Sequence, residues 1–220
     1  MLSADKKDFI TLMEAAGVLR FGSFTLKSGR VSPYFINTGD FRSGRHLAAL
    51  GRMYAAKLME TVGDDFNALF GPAYKGIPLV AACAAALWEV YQVDKPYFFN
   101  RKEAKDHGEG GAMVGYLPVE GDRVVIIEDV ISSGASVREV LPLLKAFEGI
   151  EVTDMIISVD RMEYGQKPGM TAIMEVREEF GLAVHALVTI DDVREWLLES
   201  GKDEALIKSM DAYAEQYCVR

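Results

Sequence analysis

The stretch VVIIEDVISSGASVREVLPLLKAF, residues 124–147, restricts the fold more than any other part of the chain. It opens with four aliphatic residues in a row, which fits a strand buried on both faces and so a parallel sheet covered by helices. Glu128 and Asp129 end that strand, and helical spacing behind them predicts a helix over residues 135–147. Adjacent carboxylates at the end of a buried strand repel each other unless hydrogen-bond donors or a cation meet them. Between acids and helix lie Val130, Ile131, Ser132, Ser133, Gly134, Ala135 and Ser136. Small residues at a helix start let backbone N–H groups approach an anion, and the positive end of the helix dipole favours it. The same residues also read as a serine-capped helix start, but the acidic pair beside them favours a ligand site. The spacing G-x-x-x-x-G-K-[ST] is absent, so this is not the phosphate loop of the nucleotide hydrolases.

The rest of the chain repeats the alternation of strand and helix. Residues 5–19 have helical spacing, with Phe9, Leu12, Met13, Ala16 and Leu19 on one face. FTLKSG and SPYFIN alternate as two short strands around a turn at Ser28 and Gly29. Residues 43–62 carry the longest helical pattern, with Leu47, Leu50, Tyr54, Leu58 and Met59 in register. NALFGPAYKGIPLVAACAAALWEV reads as a strand, a loop and an alanine-rich helix expected to be buried. PYFFN and GAMVGYLP read as strands, and TDMIISVDR and AVHALVTI as buried strands with helical patterns behind them. The expected class is α/β, a mostly parallel twisted sheet flanked by helices, with ligands bound beyond the carboxyl ends of the strands. Neither a linker nor a repeat divides the 220 residues, so one domain is expected.

Charge narrows the ligand. The formal net charge of −9 argues against nucleic acid and anionic membrane as partners, yet local cations can still oppose it. Arg101, Lys102, Lys105 and His107 crowd together just before Gly108, Gly110 and Gly111. As a solvated turn they would mean little, but a glycine-hinged cationic flap suits closure over a diphosphate. Lys75 adds a cation at another strand end, between Gly71 and Gly76. Cys83 and Cys218 are far apart and fit neither a disulfide framework nor a zinc site, so a reducing cytoplasm is expected. The N-terminal MLSADKKDF lacks an apolar signal core, and residues 77–87 are too short to span a bilayer. His46 and His185 have no partner pattern and read as structural or surface residues.

VVIIEDVISSGAS closely resembles the phosphoribosyl-diphosphate-binding signature of type I phosphoribosyltransferases. LKSGRVSPYFIN, GPAYKG, RKEAKDHGEGG and SVDRMEYG, in that order, resemble stretches of the orotate phosphoribosyltransferases. That resemblance implies the type I fold: an N-terminal hood over about residues 1–40, a core over 41–190, C-terminal helices over 191–220, and a mobile catalytic loop. It implies transfer of the phosphoribosyl group from 5-phosphoribosyl 1-diphosphate to orotate, giving orotidine 5′-monophosphate in pyrimidine biosynthesis. Magnesium (Mg2+) is implied as cofactor, carried mainly by the diphosphate substrate. By position, Lys27 contacts the diphosphate sugar, Phe35 and Ile36 line the orotate site through backbone groups, and Tyr74 and Lys75 touch the diphosphate. Arg101, Lys102, Lys105 and His107 come from the closing loop, and Arg161 pairs with the orotate carboxylate. Residues 128–136 hold ribose and 5′-phosphate, with Ser132 also reaching orotate. Lys102, Lys105, His107 and Asp129 form the implied catalytic set. The resemblance further implies a homodimer sharing loop residues between subunits, and a cis Ala73–Tyr74 peptide bond.

The chain departs from the commonest pattern at Glu128, Ala135 and Ile36, where many members have aspartate, threonine and phenylalanine. Ala135 lacks a hydroxyl for the phosphate, which Ser136 is expected to supply. A purine phosphoribosyltransferase is the nearest alternative, but a purine has no carboxylate for Arg161. A non-catalytic sensor of the diphosphate sugar would be expected to lack the basic loop.

Overall fold

The computed structural model describes residues 1–26, 29–103, 112–131, 134–202 and 204–219. Helix α1 (Ala4–Ala15) is followed by β1 (Leu19–Thr25) and β2 (Val31–Ile36), which pair as an antiparallel ribbon. The helix stops short of the expected residue 19. Gly17 takes φ +70°, and Val18 N–H bonds the Met13 carbonyl at 2.9 Å while Gly17 N–H bonds that of Glu14. This left-handed glycine cap closes the helix and turns Leu19 into β1.

Helix α2 (Gly44–Thr61) leads to β3 (Ala68–Gly71), α3 (Gly76–Ala86), β4 (Tyr97–Asn100), β5 (Met113–Gly115), β6 (Arg123–Ile127) and α4 (Ala135–Leu144). Then come β7 (Glu151–Asp160), α5 (Ala172–Phe180), β8 (Ala183–Thr189), α6 (Ile190–Glu199) and α7 (Glu204–Tyr217). The main sheet has the order β5-β4-β3-β6-β7-β8, parallel throughout except between β4 and β5. Both faces are covered, so side chains alternate between two apolar clusters. Val125 and Ile127 of β6 join Phe9, Tyr54, Leu58 and Trp196, whereas Val124 and Ile126 join Val137, Leu141, Leu144 and Val176. A strand between two apolar layers has no polar face, hence the unbroken aliphatic run.

The alanine-rich helix is less buried than expected. Cys83, Ala86 and Leu87 face inward, but a π-helical turn over Leu87–Tyr91 leaves Trp88 53% and Val90 52% exposed. The small residues serve a close approach to α2. A Cβ on Gly51 would lie 2.4 Å from the Ala82 carbonyl oxygen, which belongs to backbone and cannot swing away. Gly51→Ala is expected to lose a net ~1–2 kcal/mol, because overpacking outweighs the gain in helix propensity. The thermal midpoint should fall by roughly 2–8 °C in a melting experiment.

The chain crosses from β3 through α3 to β4 on one side, then returns to β6 on the other side of β3. Connections leaving the carboxyl ends of β3 and β6 therefore diverge, and a crevice opens between them.

Candidate active site

Glu128 and Asp129 leave β6 at that crevice, and each is only 6% exposed. Their backbone is held from two sides. The Tyr54 hydroxyl donates to the Glu128 carbonyl at 2.8 Å, and Ser158 N–H donates to the Asp129 carbonyl at 2.8 Å. The Glu128 carboxylate folds back on its own loop, accepting Asp129 N–H at 2.9 Å and the Ser136 hydroxyl at 3.0 Å. Ser136 has one proton and gives it to Glu128 here, so it cannot also donate to a phosphate in this arrangement. Gly134 takes φ +71° at the start of α4, and a Cβ there would lie 2.8 Å from Arg138 Nη1. Arg138 is in turn held by Glu179 at 2.9 Å.

Across the crevice, residues 72–75 link β3 to α3, with a cis Ala73–Tyr74 bond as expected. Asn100, buried at the end of β4, accepts Ala73 N–H at 2.8 Å and ties this loop to the base of the basic segment. Lys75 Nζ meets Asp129 Oδ2 at 2.7 Å, and the Thr38 hydroxyl donates to the same oxygen at 2.7 Å. Two cavities share Lys75 and Asp129 as a common wall. One of about 260 Å³ is lined also by Tyr74, Asn100, Lys102, Glu128, Val130 and Ser136. The other, of about 460 Å³, is lined also by Thr38, Phe41, Tyr54 and Ser158.

Burial pushes the Glu128 carboxyl up to about 7, opposed by the Asp129 N–H and reinforced by the Asp129 charge. The folded chain thus keeps this proton to higher pH than the unfolded chain does. Its stabilising share is full below about pH 4.5 and is lost as pH rises through about 7. Glu128→Gln cannot titrate, so it should gain stability relative to the parent over that interval, by no more than about 3 kcal/mol. Melting both proteins from pH 4 to pH 8 reads the difference, and parallel curves would exclude it.

Arg161 follows β7 and sits apart from both cavities. Its Nε and Nη2 reach Glu163 Oε1 at 3.0 and 2.6 Å, and its Cζ lies 5.0 Å from the centroid of the Tyr34 ring. Phe35 packs on Phe24 at 5.5 Å under Arg20, and Ile36 leans on the larger apolar cluster. Lys102 Nζ stands 5.8 Å over the exposed Tyr74 ring. Among the described residues, Phe35, Ile36, Arg101, Ile131, Gly134, Ala135 and Arg161 line neither cavity. Lys27, Lys105, His107, Ser132 and Ser133 lie outside the described residues, as do Ser28 and the hinge glycines. His185 pairs with Asp154 at 2.8 Å, and His46 stacks edge-on against Phe41. Thr38, Tyr54, Asn100 and Ser158 went unread in the sequence. Only Asn100 left a signal, a polar residue closing the aromatic strand PYFFN.

A buried acidic pair at the switch point of a parallel sheet, faced by a lysine loop, suits a ligand that carries both sugar hydroxyls and phosphate groups. Residues 37–192 match the family model of the phosphoribosyl transferase domain. The orotate phosphoribosyltransferase of Pseudomonas aeruginosa is 49% identical over 98% of this chain and 99% of its own length. That of Lachnoclostridium phytofermentans is 46% identical over 97% of each. The crystal structure of the Francisella tularensis orotate phosphoribosyltransferase superposes with a TM-score of 0.86 at 35% identity, covering 96% of this chain and 99% of that one. The chain belongs to the orotate phosphoribosyltransferase family.

Proposed function

We propose that the protein transfers the phosphoribosyl group of 5-phosphoribosyl 1-diphosphate to orotate, forming orotidine 5′-monophosphate and diphosphate in pyrimidine biosynthesis. The observation that carries this reading is the Lys75–Asp129 pair between two cavities at the sheet's switch point, in a chain 49% identical to such an enzyme. Breaking the bond from C1 to the diphosphate leaves positive charge on the ribose ring and negative charge on the leaving group. Glu128 and Asp129 accept the ribose hydroxyls and favour the first. Lys75, Lys102 and Arg101, with Lys105 and His107 of the same loop, neutralise the second. The loop from Val130 to Ser136, backed by the start of α4, receives the 5′-phosphate. Lys27 and Tyr74 contact the diphosphate sugar, and Phe35, Ile36, Ser132 and Arg161 receive orotate. No covalent protein nucleophile takes part.

Magnesium fits this site. Glu128 and Asp129 offer two carboxylates, and magnesium is commonly bound by one or two carboxylates plus substrate phosphates and water. When bound, it supplies positive charge to the diphosphate.

We further read residues 1–220 as one catalytic unit with its hood over about 1–40. α1 and β1 share one apolar cluster with α2, α6 and α7, which supports that reading. A homodimer is proposed from the family and from the exposed Trp88, Val90, Tyr91 and Tyr97, which suit an interface. Sedimentation should give twice the chain mass of 24.3 kDa, and a monomer at micromolar concentration would overturn it. Sharing of the loop between subunits rests on resemblance, since residues 104–111 lie outside the described set. A cytoplasmic setting agrees with the free thiols of Cys83 and Cys218. Among the described residues no helix is long and apolar enough to cross a membrane.

The direct test follows the absorbance of orotate with the diphosphate sugar and magnesium. Consumption dependent on both substrates is expected, and none with active-site residues intact would overturn the reading.

A further inference from the structure

Glu163, two residues past Arg161, gathers partners from three separate segments of the chain. Its Oε1 receives Arg161 Nε at 3.0 Å and Nη2 at 2.6 Å, and the Tyr213 hydroxyl of α7 at 2.8 Å. Its Oε2 lies 3.7 Å from Arg30 Nη1, and Arg30 itself stands 5.0 Å over the Tyr217 ring. Burial, with Glu163 adding, pushes the Tyr213 phenol up to about 12, so it remains a donor throughout the neutral range. The backbone of this turn is fixed as well. Val219 N–H bonds the Met162 carbonyl at 2.9 Å, and Tyr164 N–H bonds the Tyr217 carbonyl at 2.9 Å. Met162, at φ +55°, donates its own N–H to Asp160 Oδ1 at 2.7 Å. A carboxylate held this way does not swing aside to admit a ligand.

The grip uses one edge of the Arg161 guanidinium and leaves another. Nε and one proton of Nη2 go to Glu163. Nη1 and the second proton of Nη2 form the other planar edge of the guanidinium, with the Tyr213 hydroxyl as a further side-chain neighbour. Two parallel N–H groups are what a carboxylate takes. The Tyr34 ring, 5.0 Å away, limits tilt of the guanidinium plane. A flexible arginine would lose rotamer freedom on binding, and one already fixed does not.

We propose that Glu163 is a positioning residue that fixes Arg161 for the carboxylate of the pyrimidine substrate, with Tyr213 holding Glu163 in turn. This rests on the reading of Arg161 given under the proposed function. Glu163 acts through another side chain, so its removal weakens orotate binding selectively.

The test uses the full chain and steady-state kinetics with each substrate varied in turn. Glu163→Ala should raise the KM for orotate about 10- to 30-fold, with kcat within about threefold and the KM for the diphosphate sugar within about twofold. Glu163→Gln keeps the acceptor oxygen and should restore the KM to within about threefold of the parent. In an Arg161→Ala background, Glu163→Ala should add nothing further to the orotate KM. An unchanged orotate KM in Glu163→Ala, beside a clear defect in Arg161→Ala, overturns the positioning role and leaves Arg161 standing. A harmless Arg161→Ala overturns both. Equal rises in the KM of both substrates, or a glutamine variant as poor as alanine, also overturn it. Should Glu163→Ala fail to fold, Tyr213→Phe removes one hydroxyl and carries the same test, with a rise of about threefold in orotate KM expected.

Discussion

Asp129→Asn is expected to lower kcat by roughly 10²–10³-fold while the chain stays folded, the usual scale for losing one preorganised charge at a reacting centre. The carboxylate is nearly buried and already oriented. Lys75 and Thr38 reach one oxygen at 2.7 Å each, and Val130 N–H reaches the other at 2.6 Å. Asparagine keeps the size and one acceptor, but it removes the negative charge proposed above to offset positive charge developing on ribose. Turning one oxygen into an N–H donor also opposes a donor with a donor, either at Lys75 or at Val130. Stability should change little, because Lys75 is 56% exposed and can return to water once unpaired. A loss of about 1 kcal/mol is the scale for such a half-exposed pair. Rates at saturating substrates and a melting curve separate the two effects. A kcat within tenfold of the parent would remove Asp129 from the chemistry.

Arg161→Ala should lower kcat/KM for orotate by about 10²-fold, as expected for a charged hydrogen bond worth about 1.5–3 kcal/mol. The KM for the diphosphate sugar should hold, since Arg161 lines neither cavity next to the acidic pair. The turn itself should survive. Glu163 keeps the Tyr213 hydroxyl at 2.8 Å, and the backbone bonds from Tyr164 and Val219 do not involve the guanidinium. Unaltered orotate kinetics in a folded variant would place orotate recognition elsewhere.

How far the residues predicted this molecule depends on the range of the forces involved. β6 was legible because burial on both faces leaves a local mark, four aliphatics in succession. The end of α1 was misplaced by apolar spacing that continued through Leu19, although Gly17 carried the stop signal. Asp129 and Lys75 each stood out from their neighbours, but nothing in one dimension shows that their side chains meet across 54 positions. Tyr54 and Ser158 left no mark, since each supplies one hydroxyl from a segment whose pattern speaks only of helix or strand, and Thr38 lies in the short link between β2 and α2. Glu163 stands two residues past Arg161 within SVDRMEYG, and its place in the sequence alone gives it no role. Its meaning depends on Tyr213, 50 positions further on.

The pairing of residues 162–164 with Tyr217 and Val219 also sets an order of assembly during translation. Val219 follows Met162 by 57 residues, which takes a ribosome about 3–11 s at roughly 5–20 residues per second. Every strand and helix that builds the crevice between β3 and β6 has been synthesised before then. The turn proposed to receive the pyrimidine therefore closes only after the end of α7 and Val219 have been made, several seconds later.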